Sequence, residues 1–242
     1  RTKSSAASDV YKRQDNMRIF LDTADTDIIR KHFATGLIDG ITTNPSLIMK
    51  SGRHPEDVYQ ELKDMGIKDI SMEVMGTTGE MIDEGRRLVS KFGQCSTIKV
   101  PCTRDGLIAC SQLSRDLIRV NVTLIFDVAQ AILASKAGAA YVSPFVGRLD
   151  DNSIAGLNLI RDIDQVYKVQ CIHRTRILSA SIRYVNSVSQ SFAHGADVVT
   201  MPPAVFEKMY NHVLTDKGLE IFDNDWKEVQ PILEQQKASR QE

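Results

Sequence analysis

Eight short β-type runs alternate with helix-like segments along most of the chain, and this alternation limits the fold more than any other feature. The runs begin near Arg18, Ile38, Asp69, Ser96, Arg119, Ala140, Arg176 and Asp197. Helical stretches are expected over 55–65, 77–92, 104–117, 127–136, 153–168, 184–193 and 203–213. Thr77 and Glu80 have capping-box spacing, and Gly138 and Gly195 sit where helices should stop. A half-exposed antiparallel sheet needs only hairpin turns between strands. Helices between successive strands point instead to βα units and a parallel sheet. Eight such units in about 220 residues predict an α/β fold: a single (β/α)8 TIM barrel, here with a C-terminal helical extension.

The runs share a second property. In Thr97-Ile98-Lys99-Val100-Pro101, Ile98 and Val100 share one face and Lys99 points the other way, because side chains alternate across a strand. Asn121 and Thr123 oppose Val120, Val122 and Leu124. Glu73 opposes Met72 and Val74, and Asp22 lies across from Ile19 and Leu21. Ser179 and Ser181 are expected on one face of the seventh run. In a barrel the outward strand face packs under helices and is apolar, and the inward face at the C-terminal ends builds the active site. Asp22, Glu73, Lys99, Asn121, Thr123 and Ser181 all fall near the C-terminal ends of their runs, so they are expected to converge on one mouth.

Bulk properties exclude several functions. The chain has 242 residues, is 25% charged and carries a formal net charge of −1, so nothing favours a nucleic-acid partner. No apolar run approaches the roughly 20 residues of a membrane span. The four cysteines (Cys95, Cys102, Cys110, Cys171) lack metal-type spacing, and are expected to be reduced thiols in a chain able to bury its own core. The five histidines form no paired-ligand pattern, so no metal is expected. Neither a G-x-G-x-x-G nor a P-loop motif occurs, and no cofactor is expected. Residues 1–16 are polar and aperiodic and lack the apolar stretch of a secretory signal. They read as a disordered non-native or leader extension before Met17. Residues 17–230 form the expected catalytic domain, with a helix over 216–230 interrupted by Pro231, and 231–242 read as a polar tail.

Five motifs then occur in order: Leu21-Asp22-Thr23-Ala24, Gly40-Ile41-Thr42-Thr43-Asn44-Pro45-Ser46, Ile98-Lys99-Val100-Pro101, Asn121-Val122-Thr123-Leu124-Ile125-Phe126, and Ser143-Pro144-Phe145-Val146-Gly147-Arg148. Together they resemble the transaldolase family, in particular its short single-barrel branch, which also contains fructose-6-phosphate aldolases. The likeness runs from Met17 to about Trp226. It implies that Lys99 forms a Schiff base with a ketose phosphate and that Asp22 handles the proton of the C4 hydroxyl. It implies that Glu73 acts through a water which Thr123 helps to hold. Thr43, Asn44 and Asn121 are implied to line the sugar site, with Asn44 and Asn121 on its hydroxyls. Arg148, Ser181 and Arg183 are implied to bind phosphate, with Ser143 and Phe145 in the same site. A cytoplasmic enzyme of the pentose phosphate pathway is implied, forming a homo-oligomer, in some relatives a ring (pentamer or decamer), in which the C-terminal helix packs on a neighbour.

The chemistry explains why such residues are needed. Breaking a C3–C4 bond leaves a carbanion that requires an electron sink, and a protonated lysine imine supplies one. The attacking lysine must be neutral, far from the ordinary state of a free lysine. One carboxylate is needed for the C4 hydroxyl and another for proton traffic at nitrogen. Phosphate favours forked, charged donors.

Each residue also has a plainer use. Asp22 could cap a helix, Glu73 could be a structural partner of Lys99, and Asn44 could serve turn chemistry alone. Arg148 could pair with Asp150 and Asp151 in a solvated loop, and Phe145 and Cys102 could merely pack. Fructose-6-phosphate aldolases tend to carry glutamine and tyrosine where this chain has Glu73 and Phe145, so the resemblance favours transfer of a dihydroxyacetone unit over its free release. A non-catalytic sugar-phosphate-binding barrel is the remaining alternative.

Overall fold

Parallel pairing closes the eight runs into a ring. In the computed structural model, which describes residues 17–239, the strands are β1 (Arg18–Asp22), β2 (Gly40–Thr42), β3 (Ile70–Glu73), β4 (Ser96–Pro101), β5 (Val120–Ile125), β6 (Tyr141–Pro144), β7 (Arg176–Ser179) and β8 (Val198–Met201). Each pairs with the next, and β8 returns to β1. The extension expected over 1–16 lies outside the described residues, as do 240–242 of the polar tail.

The connecting helices are α1 (Thr26–Phe33), α2 (Pro45–Ser51), α3 (Pro55–Asp64), α4 (Thr78–Phe92), α5 (Arg104–Arg115), α6 (Val128–Lys136), α7 (Val146–Asp150), α8 (Gly156–Val169), α9 (Val185–Ala193), α10 (Pro203–Lys208) and α11 (Val213–Ala238). The capping box is formed: Thr77 and Glu80 satisfy each other's backbone N–H groups at the start of α4. Helices α1, α2 and α7 have no counterpart among the expected stretches. They have eight, seven and five residues, too short to show a helical period. The chain divides into two compact units, one ending at Val205 and one beginning at Phe206. Within the second, the stretch expected over 203–213 breaks after Lys208, because His212 is extended and its Nδ1 accepts the N–H of Leu214 to start α11. Pro231 does not interrupt α11, which runs through it to Ala238. Strong helix formers on both sides (Leu233, Glu234, Gln235, Lys227, Glu228) outweigh the one lost backbone bond. Among the described residues, no helix is long and apolar enough to cross a membrane.

The alternation of the strands is realised as two shells. Ile98, Val100, Val120 and Val122 are fully buried on the outer face. Inside, Phe20, Tyr141, Leu178, Ala180 and Val198 form one apolar cluster that fills the barrel. Phe20 meets Tyr141 edge-on, 6.3 Å between ring centroids. Gly40 makes room for this packing, since a Cβ there would stand 2.7 Å from the Phe20 ring.

At the N-terminal ends of the strands the barrel is sealed by a buried carboxylate. Asp69 is 3% exposed. It accepts hydrogen bonds from Thr97 Oγ1 and Tyr141 Oη, both at 2.7 Å, and lies 3.4 Å from Arg119 Nη1. Asp69→Ala would leave two buried hydroxyls without their acceptor. The expected loss of stability is about 3 kcal/mol, read from urea denaturation; a loss below about 1 kcal/mol would show that the seal is dispensable.

Candidate active site

The opposite ends of the strands are polar, because register brings inward-facing residues to one level. Glu73 pairs with Lys99 across β3 and β4, and Lys99 with Asn121 across β4 and β5. Lys99 is 6% exposed. Its Nζ donates to the carbonyl of Thr43 at 3.0 Å and stands 3.0 Å from Glu73 Oε2. The approach to Glu73 is close in distance but lacks hydrogen-bond geometry, so Glu73 Oε2 is buried without a hydrogen-bond partner in the chain. The same is true of Thr123 Oγ1. Buried polar atoms without partners are rare in folded proteins, and here two of them border one lysine strand.

The Thr42–Pro45 segment supplies three elements of the site. The Thr42 hydroxyl donates to Asp22 Oδ1 at 2.8 Å, which leaves it to accept from Thr200 Oγ1 at 2.6 Å. Thr43 turns its side chain outward to the carbonyl of Ser71 and gives its own carbonyl to Lys99. Asn44 caps α2 through Oδ1, accepting from Leu47 N at 3.0 Å, and Pro45 begins that helix. The Asn44 amide nitrogen is left for the cavity that the residue lines. Asp22 itself caps nothing; the cap of α1 is Asp25. Burial deep in the barrel pushes the Asp22 carboxyl up from its ordinary value. The Lys99 charge and the Thr42 hydrogen bond oppose this, and the Glu73 charge adds to it.

A cavity of about 180 Å3 opens above these residues. Asp22, Asn44, Lys99, Asn121, Thr123, Ser143, Phe145, Arg148, Ser181 and Arg183 all line it. Thr43 and Glu73 do not; both sit behind the wall. Thr42 and Thr200 also line the cavity, and reading the strands alone missed both. Their position opposite apolar neighbours in Ile41-Thr42 and Val199-Thr200-Met201 was the available signal. The Ser143 hydroxyl donates to Asn121 Oδ1 at 2.7 Å, so its proton orients the amide.

The far end of the cavity departs from the expected strand geometry. β7 stops at Ser179, whose hydroxyl meets Ser191 Oγ of α9 at 2.8 Å on the outer face. Ser181 follows with φ +58°, so it turns into the cavity and does not share the face of Ser179 or lie on a strand with Arg183. A bulge displaces β5 against β6 between Val122 and Ile125, with Leu124 at φ +61°, so the alternation expected through Leu124 breaks there. Non-glycine residues in this region cost about 1–3 kcal/mol each and cluster at functional sites. Gly147 holds this end together. Its N–H donates to the carbonyl of Ser181 at 2.9 Å, and a Cβ would stand 2.0 Å from that oxygen and 2.9 Å from the Arg183 side chain. Arg148 lies over the Phe145 ring, 4.9 Å from its centroid. Asp151 pairs with Arg183 at 2.9 Å and Asp150 accepts from Gly156 N, so neither is the partner of Arg148.

No group of three or more His, Cys, Asp or Glu side chains among the described residues is placed to hold a metal ion. Burial pushes the Cys102 thiol up to about 11, which keeps it protonated near neutrality.

A closed parallel barrel with a buried lysine against one carboxylate and within charge range of another, facing a polar cavity that carries arginines, is an arrangement suited to aldol chemistry. The comparisons agree. The family described as Transaldolase/Fructose-6-phosphate aldolase matches residues 19–241, and the chain belongs to this family. A protein from Caulobacter vibrioides described as a probable transaldolase is 52% identical over 211 residues, covering 87% of this chain and 96% of the relative. One of the same description from Nitrosopumilus maritimus is 50% identical over 214 residues, 88% of this chain and 96% of the relative. The chain is therefore a transaldolase-type enzyme. Among solved structures, a flavocytochrome b2 variant superposes with a TM-score of 0.58 at 11% identity. That match spans 78% of this chain and 57% of the other, and it is a likeness of fold alone.

The state of Asp22 has a measurable consequence. Its carboxyl is raised in the folded state, so the folded protein holds this proton more tightly than the unfolded chain. Stability contributed by the neutral form is complete below the ordinary carboxylate range and is lost as pH rises through the folded value. Asp22→Asn, which keeps an acceptor for Thr42, is expected to melt higher than the parent near pH 7. The difference should shrink as pH falls toward about 4; each kcal/mol corresponds to about 2–4 °C in a chain of this size. Equal melting temperatures at both pH values would contradict the burial argument.

Proposed function

We propose that this enzyme transfers a dihydroxyacetone unit from a ketose phosphate to an aldose phosphate through an imine at Lys99. Fructose 6-phosphate or sedoheptulose 7-phosphate would be the donor, and erythrose 4-phosphate or glyceraldehyde 3-phosphate the acceptor. The observation that carries this reading is the buried amine of Lys99 at the wall of a polar cavity, with Glu73 3.0 Å away.

In this reading Lys99 attacks the C2 carbonyl, and Glu73 moves protons between nitrogen and the departing oxygen. A water held by Glu73 Oε2 and Thr123 Oγ1 would satisfy both partnerless atoms. Asp22 as carboxylate then takes the C4 hydroxyl proton. The C3–C4 electrons pass to the protonated imine, giving an enamine, and the aldose phosphate leaves. An acceptor aldehyde enters, C3 bonds to its carbonyl carbon, and Asp22 returns the proton to the new alkoxide. Burial, which favours the neutral acid, supports a carboxyl able to give the proton back. Asn44 and Asn121 would hold sugar hydroxyls, and Arg148, Arg183 and Ser181 the phosphate.

Reduction with borohydride in the presence of fructose 6-phosphate should fix a covalent adduct on Lys99, located by peptide mass mapping. Lys99→Met should lose the adduct and lower transfer by more than about 10³-fold. Transfer activity retained by Lys99→Met would rule the imine out. Without an acceptor aldehyde, the parent enzyme should release free dihydroxyacetone only slowly; steady rapid release would identify it as an aldolase instead.

Arg148 separates sugar binding from phosphate binding. Arg148→Ala should raise KM for a phosphorylated donor by about 10–100-fold, as expected for losing about 1.5–3 kcal/mol of a charged hydrogen bond. KM for unphosphorylated fructose should stay within about twofold. A similar rise for both sugars would remove Arg148 from the phosphate site.

A further inference from the structure

Lys99 and Glu73 touch, yet they face different spaces. Lys99 lines the cavity of about 180 Å3 described above. Glu73 lines a second groove, of about 470 Å3, bounded by α2, α3 and α4 and open at Met49, which is 79% exposed. The pair, 3.0 Å apart, is thus part of the partition between the two spaces, together with Asn44, which lines both. We propose that this groove is the route by which water reaches and leaves the imine at Lys99, separate from the mouth through which the sugar enters. The inference rests on the imine reading above.

The chemistry requires such a route. Protonated Lys99 and the ketone give a protonated imine and one water: two N–H protons move to the carbonyl oxygen, the C2–O bond breaks, and the C2–N bond forms. Hydrolysis reverses each step and consumes one water. Both happen while the sugar, bound along its length, occupies the first cavity above Lys99. With the sugar above Lys99, the wall where Glu73 stands is the side left to the water. The groove has room for more than about ten waters at ~30 Å3 each. Its inner end offers polar partners, with Glu73 and the Tyr59 hydroxyl lining it beside Thr43. Its walls mix apolar side chains (Ile48, Met49, Leu88) with polar ones (His54, Glu56, Glu84, Arg87) that can hand water inward. The same separation would keep bulk water on the Glu73 side, away from the enamine carbon in the sugar cavity.

The test follows the oxygen atom. Fructose 6-phosphate labelled with 18O at its C2 carbonyl loses label to solvent only when the water released at the imine exchanges with bulk water before hydrolysis. Ile48→Trp narrows the groove at a residue that does not line the sugar cavity. It should slow enzyme-catalysed washout, corrected for spontaneous exchange and read by mass spectrometry, by about tenfold, a barrier rise of about 1.4 kcal/mol. Borohydride should still trap the Lys99 adduct in full yield, which keeps the imine reading intact while the route is tested. Met49→Trp, at the exposed rim, repeats the measurement should Ile48→Trp not fold by circular dichroism. A folded variant with parental washout would overturn the route. Absence of any adduct in the parent enzyme would instead overturn the imine reading, and the route with it.

Discussion

The contact of Lys99 with Glu73 and the Thr43 carbonyl is what the rest of the site is arranged around. A long cationic side chain is seldom enclosed unless partners accompany it, and here two are delivered by separate strands. Glu73 comes from the neighbouring strand at matched register. The Thr43 carbonyl is available because the chain leaves β2 and turns into α2, where Asn44 and Pro45 start a helix. Each partner is a backbone consequence first and a chemical group second. A one-residue slip of β3 would turn Glu73 out under the helices and leave the amine facing apolar side chains.

The two ends of the barrel handle buried charge in opposite ways. At the closed end, Asp69 is saturated by hydroxyl and guanidinium donors, and apolar packing follows directly above it. At the open end, Glu73 Oε2 and Thr123 Oγ1 lack partners, Asp22 is held in surroundings that disfavour its charge, and Leu124 and Ser181 take left-handed backbone. The contrast lies in the carboxylates, since buried Ser96 Oγ at the closed end also lacks a partner and Leu117, Ser153 and Cys171 also take left-handed backbone. This division matches the general trade between a rigid scaffold and a reactive site.

Much of this was readable in the residues. The eight runs, their parallel order and the inward position of Asp22, Glu73, Lys99, Asn121 and Thr123 follow from a period of two set between helical segments. The resemblance named the two arginines of the cavity, which periodicity could not, since Arg148 lies in a five-residue helix and Arg183 in a loop. What escaped was non-local or irregular. The link from Thr200 through Thr42 to Asp22 joins strands 158 residues apart in sequence, and only closure of the ring between β8 and β1 makes them neighbours. The positive φ of Ser181 overrides strand alternation, and nothing in Ser179-Ala180-Ser181 announces it. Pro231 is a local helix breaker that the surrounding helix formers overrule.

Gly147 is where two loops become one device. Its missing side chain lets the segment after β6 lie directly on the carbonyl of Ser181, so the backbones that carry Arg148, Ser181 and Arg183 are held together by contact of main chains. The spacing between those backbones is therefore set without any side chain. A lineage that needed a differently shaped pocket at this end could not retune it one methyl group at a time; it would have to rebuild both loops together.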